Sequence, residues 1–184
     1  KARLSHLDRA GAARMVDVSA KRPSAREAVA SGRIRIGAAA MRLARRGRLA
    51  KGGVVEVARL AGILAAKRTS EAIPLCHPLP LTHVSVEVRP RRDGFAIQAR
   101  VKTLAPTGAE MEALHACATA ALTIYDMCKS ADRGMVIGEL ALWEKTGGRS
   151  GTYRRTPGSA LGGDGLLTAD APVVASPSEN VVES

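Results

Sequence analysis

Asp126 and Lys129 stand three residues apart in "TGAEMEALHACATAALTIYDMCKS", near the end of what reads as the longest helix of the chain. That spacing puts both side chains on one helix face, where a carboxylate and an ammonium can exchange a proton with a bound molecule. A lysine near a helix C-terminus suits the macrodipole, whereas an aspartate there opposes it by about 0.3–1 kcal/mol. An acid kept where it is locally unfavourable hints at use, although surface ion pairs of this kind are common and weak. Glu112 lies fourteen residues earlier, back within about 40° of the same face but about 21 Å away along the axis. One small substrate cannot touch both on a single straight helix. A shared role requires a long ligand or a site built from two chains. Glu110 has another duty available, as the acid of a Thr107–Glu110 capping box. Glu112 has none.

A second candidate is "IPLCHPLPL", Ile73 to Leu81, which sets Cys76 and His77 among three prolines. Pro78 and Pro80 exclude a helix interior, and their missing donors exclude a central strand. A semi-rigid extended loop remains, able to aim Cys76 and His77 or simply to connect two elements. A lone histidine is more often structural than a ligand, and no Cys, His or carboxylate cluster accompanies it at zinc spacing. Residues 28 to 55 add Arg33, Arg35, Arg42, Arg45, Arg46, Arg48 and Lys51 without an acid. Most of these cations read as solvated helix faces. Lys51 differs, because it precedes Gly52 and Gly53 at the start of a helix, where exposed amides and an ammonium make a phosphate cradle. "KTGGRSG", Lys145 to Gly151, is a second basic Gly-rich loop, or else a flexible chain end.

The elements that must position these groups follow from pattern. "SAREAVAS" begins with Ser24 and carries Glu27 three positions on, which predicts a short capped helix closed by Gly32. "RIRI" predicts a brief strand and "AAAMRLARR" a helix. "GVVEVARLAGILAAKRT" predicts a helix with Val54, Val57, Ala58, Ala61 and Ala65 inward. "THVSVEVRP" and "GFAIQARVK" alternate with period two, and the Asp-Gly between them predicts a hairpin. The long helix is expected to bury Met111, Leu114, Ala118, Leu122 and Tyr125. "MVIGELALW" predicts a further strand, bulged at Gly138. Hairpin strands mixed with separated helices predict an α+β fold with an antiparallel sheet.

The chain has 184 residues, 46% of them hydrophobic, and a formal charge of +11. It is long enough for one domain, read as residues 1–155, plus a tail at 156–184. The tail holds four acids and no Lys or Arg among Gly, Ser, Ala and Pro, and is expected to be disordered. The cations therefore concentrate on the domain and imply an anionic partner. Only four aromatics, unclustered, offer no platform for stacking bases, so a small phosphorylated ligand fits better than nucleic acid. No apolar run approaches the ~18 residues of a membrane span, and "KARLSHLDRA" has no apolar core of a secretory signal. Three cysteines without paired spacing read as reduced thiols in a cytoplasmic protein.

Four strings, "SHLDRAGAARMVDVSAK", "KGGVVEVARLAGILAAKRTSEAIPLCHPLPL", "TGAEMEALHACATAALTIYDMCK" and "EKTGGRSG", occur in this order. Together they resemble the molybdenum cofactor biosynthesis protein C family of cyclic pyranopterin monophosphate synthases, over roughly residues 4–151. The resemblance implies a ferredoxin-like fold and conversion of 3',8-cyclo-7,8-dihydroguanosine 5'-triphosphate to cyclic pyranopterin monophosphate with loss of pyrophosphate. It also implies a homo-oligomer, a hexamer built as a trimer of dimers, with sites at dimer interfaces. Residue by residue, it makes Asp126 the catalytic acid/base and Lys51 and Lys129 essential lysines. It places Leu75, Cys76 and His77 on one substrate-contacting segment and Met111 and Glu112 on another. Arg26, Lys67 and Lys145 become triphosphate-side cations. No resident cofactor is expected, with Mg²⁺ left open by the sequence, and neither nucleic acid nor membrane is an expected partner. The chain departs from the family pattern with Gly53 for Asp, Pro106 for Lys, His115 for Thr and Arg149 for Lys. Gly53 either retunes Lys51 or removes a surface cap. The competing reading is a non-catalytic basic module binding nucleotides or RNA.

Overall fold

The computed structural model describes residues 6–8, 10–45 and 53–156. Lys51 and all but Thr156 of the expected tail lie outside the described residues. The elements run β1 (Ser24–Arg35), α1 (Ala38–Arg45), α2 (Val54–Lys67), α3 (Thr69–Ala72), β2 (Leu81–Arg91), β3 (Gly94–Ala105), α4 (Glu110–Cys128), β4 (Val136–Thr146) and β5 (Tyr153–Arg154). One five-stranded sheet has the order β2-β3-β1-β4-β5, with every neighbouring pair antiparallel. With α2 linking β1 to β2 and α4 linking β3 to β4, this is the ferredoxin-like α+β arrangement. Both helices lie on one face of the sheet, α4 over β1, β3 and β4 and α2 over β2 and against α4.

The expected helix at Ser24–Ser31 is instead the first two-thirds of β1. Ala28, Ala30, Gly32 and Ile34 face the helices and are buried, so the period is two rather than 3.6. β1 is the central strand, bonded to β3 on one side and β4 on the other, and that ladder overrides the local helical propensity of the alanines. Glu27 makes no cap. It pairs with Arg100 and, at 3.6 Å, with Lys102 across the sheet. The small side chains of β1 let α4 come close, and the Cys117 thiol donates to Ala30 O at 3.4 Å.

The expected inward faces of the two long helices are also shifted. On α2 the buried residues are Val54, Ala58, Gly62, Ala65 and Ala66, with Val57 exposed. On α4 they are Glu112, Ala113, Ala116, Cys117, Ala120, Ala121, Ile124, Met127 and Cys128. Of the expected stripe, Met111 is 38% and Leu122 59% exposed, while Leu114 and Tyr125 are partly buried against the core, so the stripe lies along the flank of the buried face. The first half of the inner face of α4 is built from alanines and Cys117, and bulk enters it only with Ile124 and Met127. The Thr107–Glu110 box does not form either. Ala109 occupies the N-cap position without a side-chain bond, and Glu110 turns toward Lys145.

Other expectations hold. β2 and β3 form the hairpin, with Asp93 paired to Arg33 at 2.7 Å, which draws its carboxyl below the usual range. β4 shifts register against β1 just after Gly138, at Glu139, whose φ is 55°. Residues 73–80 are neither helix nor a paired strand. Gly53 is the N-cap of α2, with open space around its Cα, which favours the lost-cap reading at a cost of a few tenths of a kcal/mol relative to Asp.

Where α2 crosses α4, Gly62 leaves no room for a side chain: a Cβ there would lie 2.9 Å from Ala116 O and 3.2 Å from both Val86 methyls. Gly62→Val should therefore lower stability by about 1–3 kcal/mol, read as a lower midpoint in chemical denaturation.

Candidate active site

α4 carries functional groups at both ends. At its start, Glu112 is only 2% exposed, held beneath the proline-rich loop that follows α3. The loop brings Cys76 onto it, and the thiol donates to Glu112 Oε1 at 3.5 Å. Oε2 of the same carboxyl is buried without a protein partner. Burial raises the Glu112 pKa, so the proton is held more tightly than by an exposed glutamate. Burial also pushes the Cys76 thiol up to about 11, helped by the neighbouring Glu112. Cys76 is thus a neutral hydrogen-bond donor near pH 7 and not a nucleophile. The structure brings together the two segments expected to contact substrate: half-buried Leu75, Cys76 and His77 from the loop, exposed Met111 and buried Glu112 from the helix.

Beside this cluster the basic Gly-rich loop folds back against β1. Lys145 Nζ lies 3.7 Å from Glu110 Oε1 and bonds to Ser150 Oγ. Gly147 and Gly148 both have φ near +80°, a region that glycine enters freely. A side chain on Gly148 would collide with the Arg26 guanidinium. Arg26 itself donates to Ala105 O at 3.2 Å and Pro106 O at 3.0 Å, so two of its nitrogens tie the end of β3 in place. Lys67, the last residue of α2, is exposed.

The other end of α4 holds the predicted acid–base pair. Lys129 Nζ donates to Asp126 Oδ1 at 2.6 Å, and both side chains are more than half exposed. A cavity of about 320 Å³ adjoins them, lined by Tyr125, Lys129, Ser130 and Arg133. The Tyr125 hydroxyl donates to Arg133 O at 3.0 Å, which leaves Lys129, Arg133 and the Ser130 hydroxyl to meet an anionic ligand. Sequence reasoning missed Arg133 and Ser130. Their closeness to Lys129 in the sequence, four and one residues on, was the available signal. It also missed Asp17, whose carboxyl is held low chiefly by Ser19 and to a smaller degree by Arg14 and His77. Asp17 therefore lies within electrostatic reach of both Arg14 and His77.

Within one chain the two clusters stay apart, because about 21 Å of helix separates Glu112 from Asp126. Among the described residues no group of three or more His, Cys, Asp or Glu is placed to hold a metal ion, and no helix is long and apolar enough to cross a membrane.

The fold and these groups define a ferredoxin-like α+β protein equipped for acid–base chemistry on an anionic small molecule. The chain belongs to the MoaC family, which it matches over residues 15–148. It is 58% identical to the cyclic pyranopterin monophosphate synthase of Thermomicrobium roseum over 84% of this chain and 94% of that protein. It is 55% identical to the one from Heliobacterium modesticaldum, over 83% and 97% respectively. With cyclic pyranopterin monophosphate synthase 3 of Mycobacterium bovis the identity is 52%, over 91% and 95%.

Glu112→Gln removes the negative neighbour that helps hold Cys76 neutral, while its amide oxygen can still accept from the thiol. At pH 9 the thiolate fraction should rise, and iodoacetamide should label Cys76 several times faster than in the parent protein. Peptide mapping separates this signal from buried Cys117 and Cys128.

Proposed function

We propose that the chain is a cyclic pyranopterin monophosphate synthase of molybdenum cofactor biosynthesis. It converts 3',8-cyclo-7,8-dihydroguanosine 5'-triphosphate to cyclic pyranopterin monophosphate and pyrophosphate. The observation that carries this reading is identity above 50% to proteins of that name over more than four-fifths of the chain, with Asp126 and Lys129 paired at 2.6 Å.

The reaction opens a purine-derived ring, closes a pyrazine ring and then forms the cyclic phosphate. In the last step a substrate hydroxyl attacks the α-phosphorus, and the bond to pyrophosphate breaks as the new P–O bond forms. The hydroxyl proton must leave, and negative charge gathers on the departing oxygens. Asp126 orients Lys129, and this pair, with Lys51, moves the protons. Lys145 and the neighbouring cations balance the triphosphate charge. Glu112, Cys76 and His77 hold the purine-derived ring. Cations of the chain supply positive charge at the leaving pyrophosphate.

The site is completed by a second chain of a homo-oligomer. Two features support this: the length of α4 between Glu112 and Asp126, and the outward apolar face with Met111 and Leu122, which a second copy can bury. The basic binding-module alternative has less support, since it explains neither the Glu112–Cys76 pairing nor the family membership.

Asp126→Ala and Lys129→Ala should each lower turnover of the cyclic triphosphate by about 10²–10⁴-fold, with the oligomer intact by light scattering. Near-normal turnover of either would remove that residue from the mechanism. Mixing denatured Asp126→Ala and Glu112→Ala chains and refolding them together tests the shared site. Roughly a quarter of parental activity should return, because each mixed dimer has one intact interface site. No recovery would place the site within one chain. Turnover should survive EDTA, and its loss with restoration by Mg²⁺ would assign a metal to pyrophosphate departure.

A further inference from the structure

We infer that His115 is a positioning residue: through Thr69, its ring clasps the start of the proline-rich loop to α4 and so fixes Cys76 and His77 relative to Glu112. This rests on the proposal that these three groups contact substrate.

Thr69 opens α3 and is 1% exposed. Its hydroxyl oxygen lies 3.1 Å from Ala65 O, 3.1 Å from Ala66 O and 3.2 Å from His115 Nδ1. A hydroxyl has one proton to give and two lone pairs to receive with. The two carbonyls belong to the last turn of α2, where Ala65 O already accepts from Arg68 N at 3.0 Å, and as acceptors only they can do nothing but receive the single threonine proton. His115 Nδ1 is left as the donor. The environment therefore selects the tautomer with the proton on Nδ1, and the ring ties α4 to the junction between α2 and α3.

From that junction a short relay runs to the substrate segment. Ile73 N donates to Thr69 O at 2.9 Å, and Cys76 N donates to Ile73 O at 3.0 Å. The Cys76 thiol then reaches Glu112 at 3.5 Å. Glu112 and His115 are three residues apart and share a face of α4. The circuit closes: His115 to Thr69, Ile73, Cys76, Glu112 and back along the helix. Farther on, Thr103 Oγ1 donates to Pro80 O at 2.7 Å and ties down the far end of the loop. Pro74, Pro78 and Pro80 stiffen this stretch but offer no backbone donors of their own, so side-chain anchors decide where it sits. Losing the first anchor frees the loop to tilt as a stiff unit and carries His77 with it.

Asparagine and glutamine separate this role from simple space filling. The Asn side-chain amide nitrogen falls where imidazole Nδ1 stands and can donate to Thr69. The Gln amide extends to the Nε2 position and cannot. In the full-chain protein, amide exchange at Ile73 and Cys76 should speed about 3- to 10-fold in His115→Gln and stay at the parental rate in His115→Asn. KM for the cyclic triphosphate should rise by a similar factor in His115→Gln, with kcat within about twofold, and return to the parental value in His115→Asn. If the two variants behave alike, changed or unchanged, the clasp is refuted. If the parent protein fails to turn over the cyclic triphosphate, the enzymatic reading fails, while amide exchange still decides whether His115 holds the loop.

Discussion

The structure depends on the close approach of α4 to the central strand. Ala28, Ala30 and Gly32 on β1 meet Ala113, Ala116, Cys117 and Ala120 on the helix, and all are buried. Small side chains on both sides let backbones approach until a cysteine thiol reaches a strand carbonyl. Each alanine contributes little transfer energy, but interior packing is intolerant of added volume, so the seam fixes the rotation of the helix firmly. That rotation decides everything the helix displays. It buries Glu112 and leaves Met111 and Leu122 outside. It also presents Asp126 and Lys129 at the far end.

A helix locked in this way acts as a rigid spacer between two chemically different places. One end holds a buried carboxyl whose proton affinity is raised by burial, beside a neutral thiol. The other is an open, wet ion pair next to hydroxyls and cations. The first suits hydrogen bonding to a heterocycle, and the second suits proton traffic and phosphate charge. Their separation along one helix makes a second chain the natural way to bring both chemistries to one molecule.

Legibility in the sequence followed the range of the interaction. The β2–β3 hairpin, the irregular proline loop and the extents of α2 and α4 were readable because alternation, Asp-Gly and proline geometry act locally. β1 was not. "SAREAVAS" has a capping pattern and good helix formers, and only the two flanking strands reveal why it is extended. The faces of α2 and α4 were misjudged for a related reason. Val54, Ala58 and Ala65 are inward as expected, but the exact rotation is set by the close approach at Gly62 and at the α4 alanines, which spacing alone does not reveal.

The sequence by itself determined which residue types were available for chemistry: an aspartate and a lysine one turn apart, and a glutamate fourteen residues upstream. It also supplied a Cys-His pair stiffened by prolines, and enough motif to mark the family. Tertiary structure alone decided that Cys76 meets Glu112, that Glu110 leaves its helix cap for Lys145, and that His115 reaches Thr69. Each of these joins residues more than thirty positions apart. Such pairings are set by how helices and strands pack, a global compromise of volume and hydrogen bonding that no local pattern encodes.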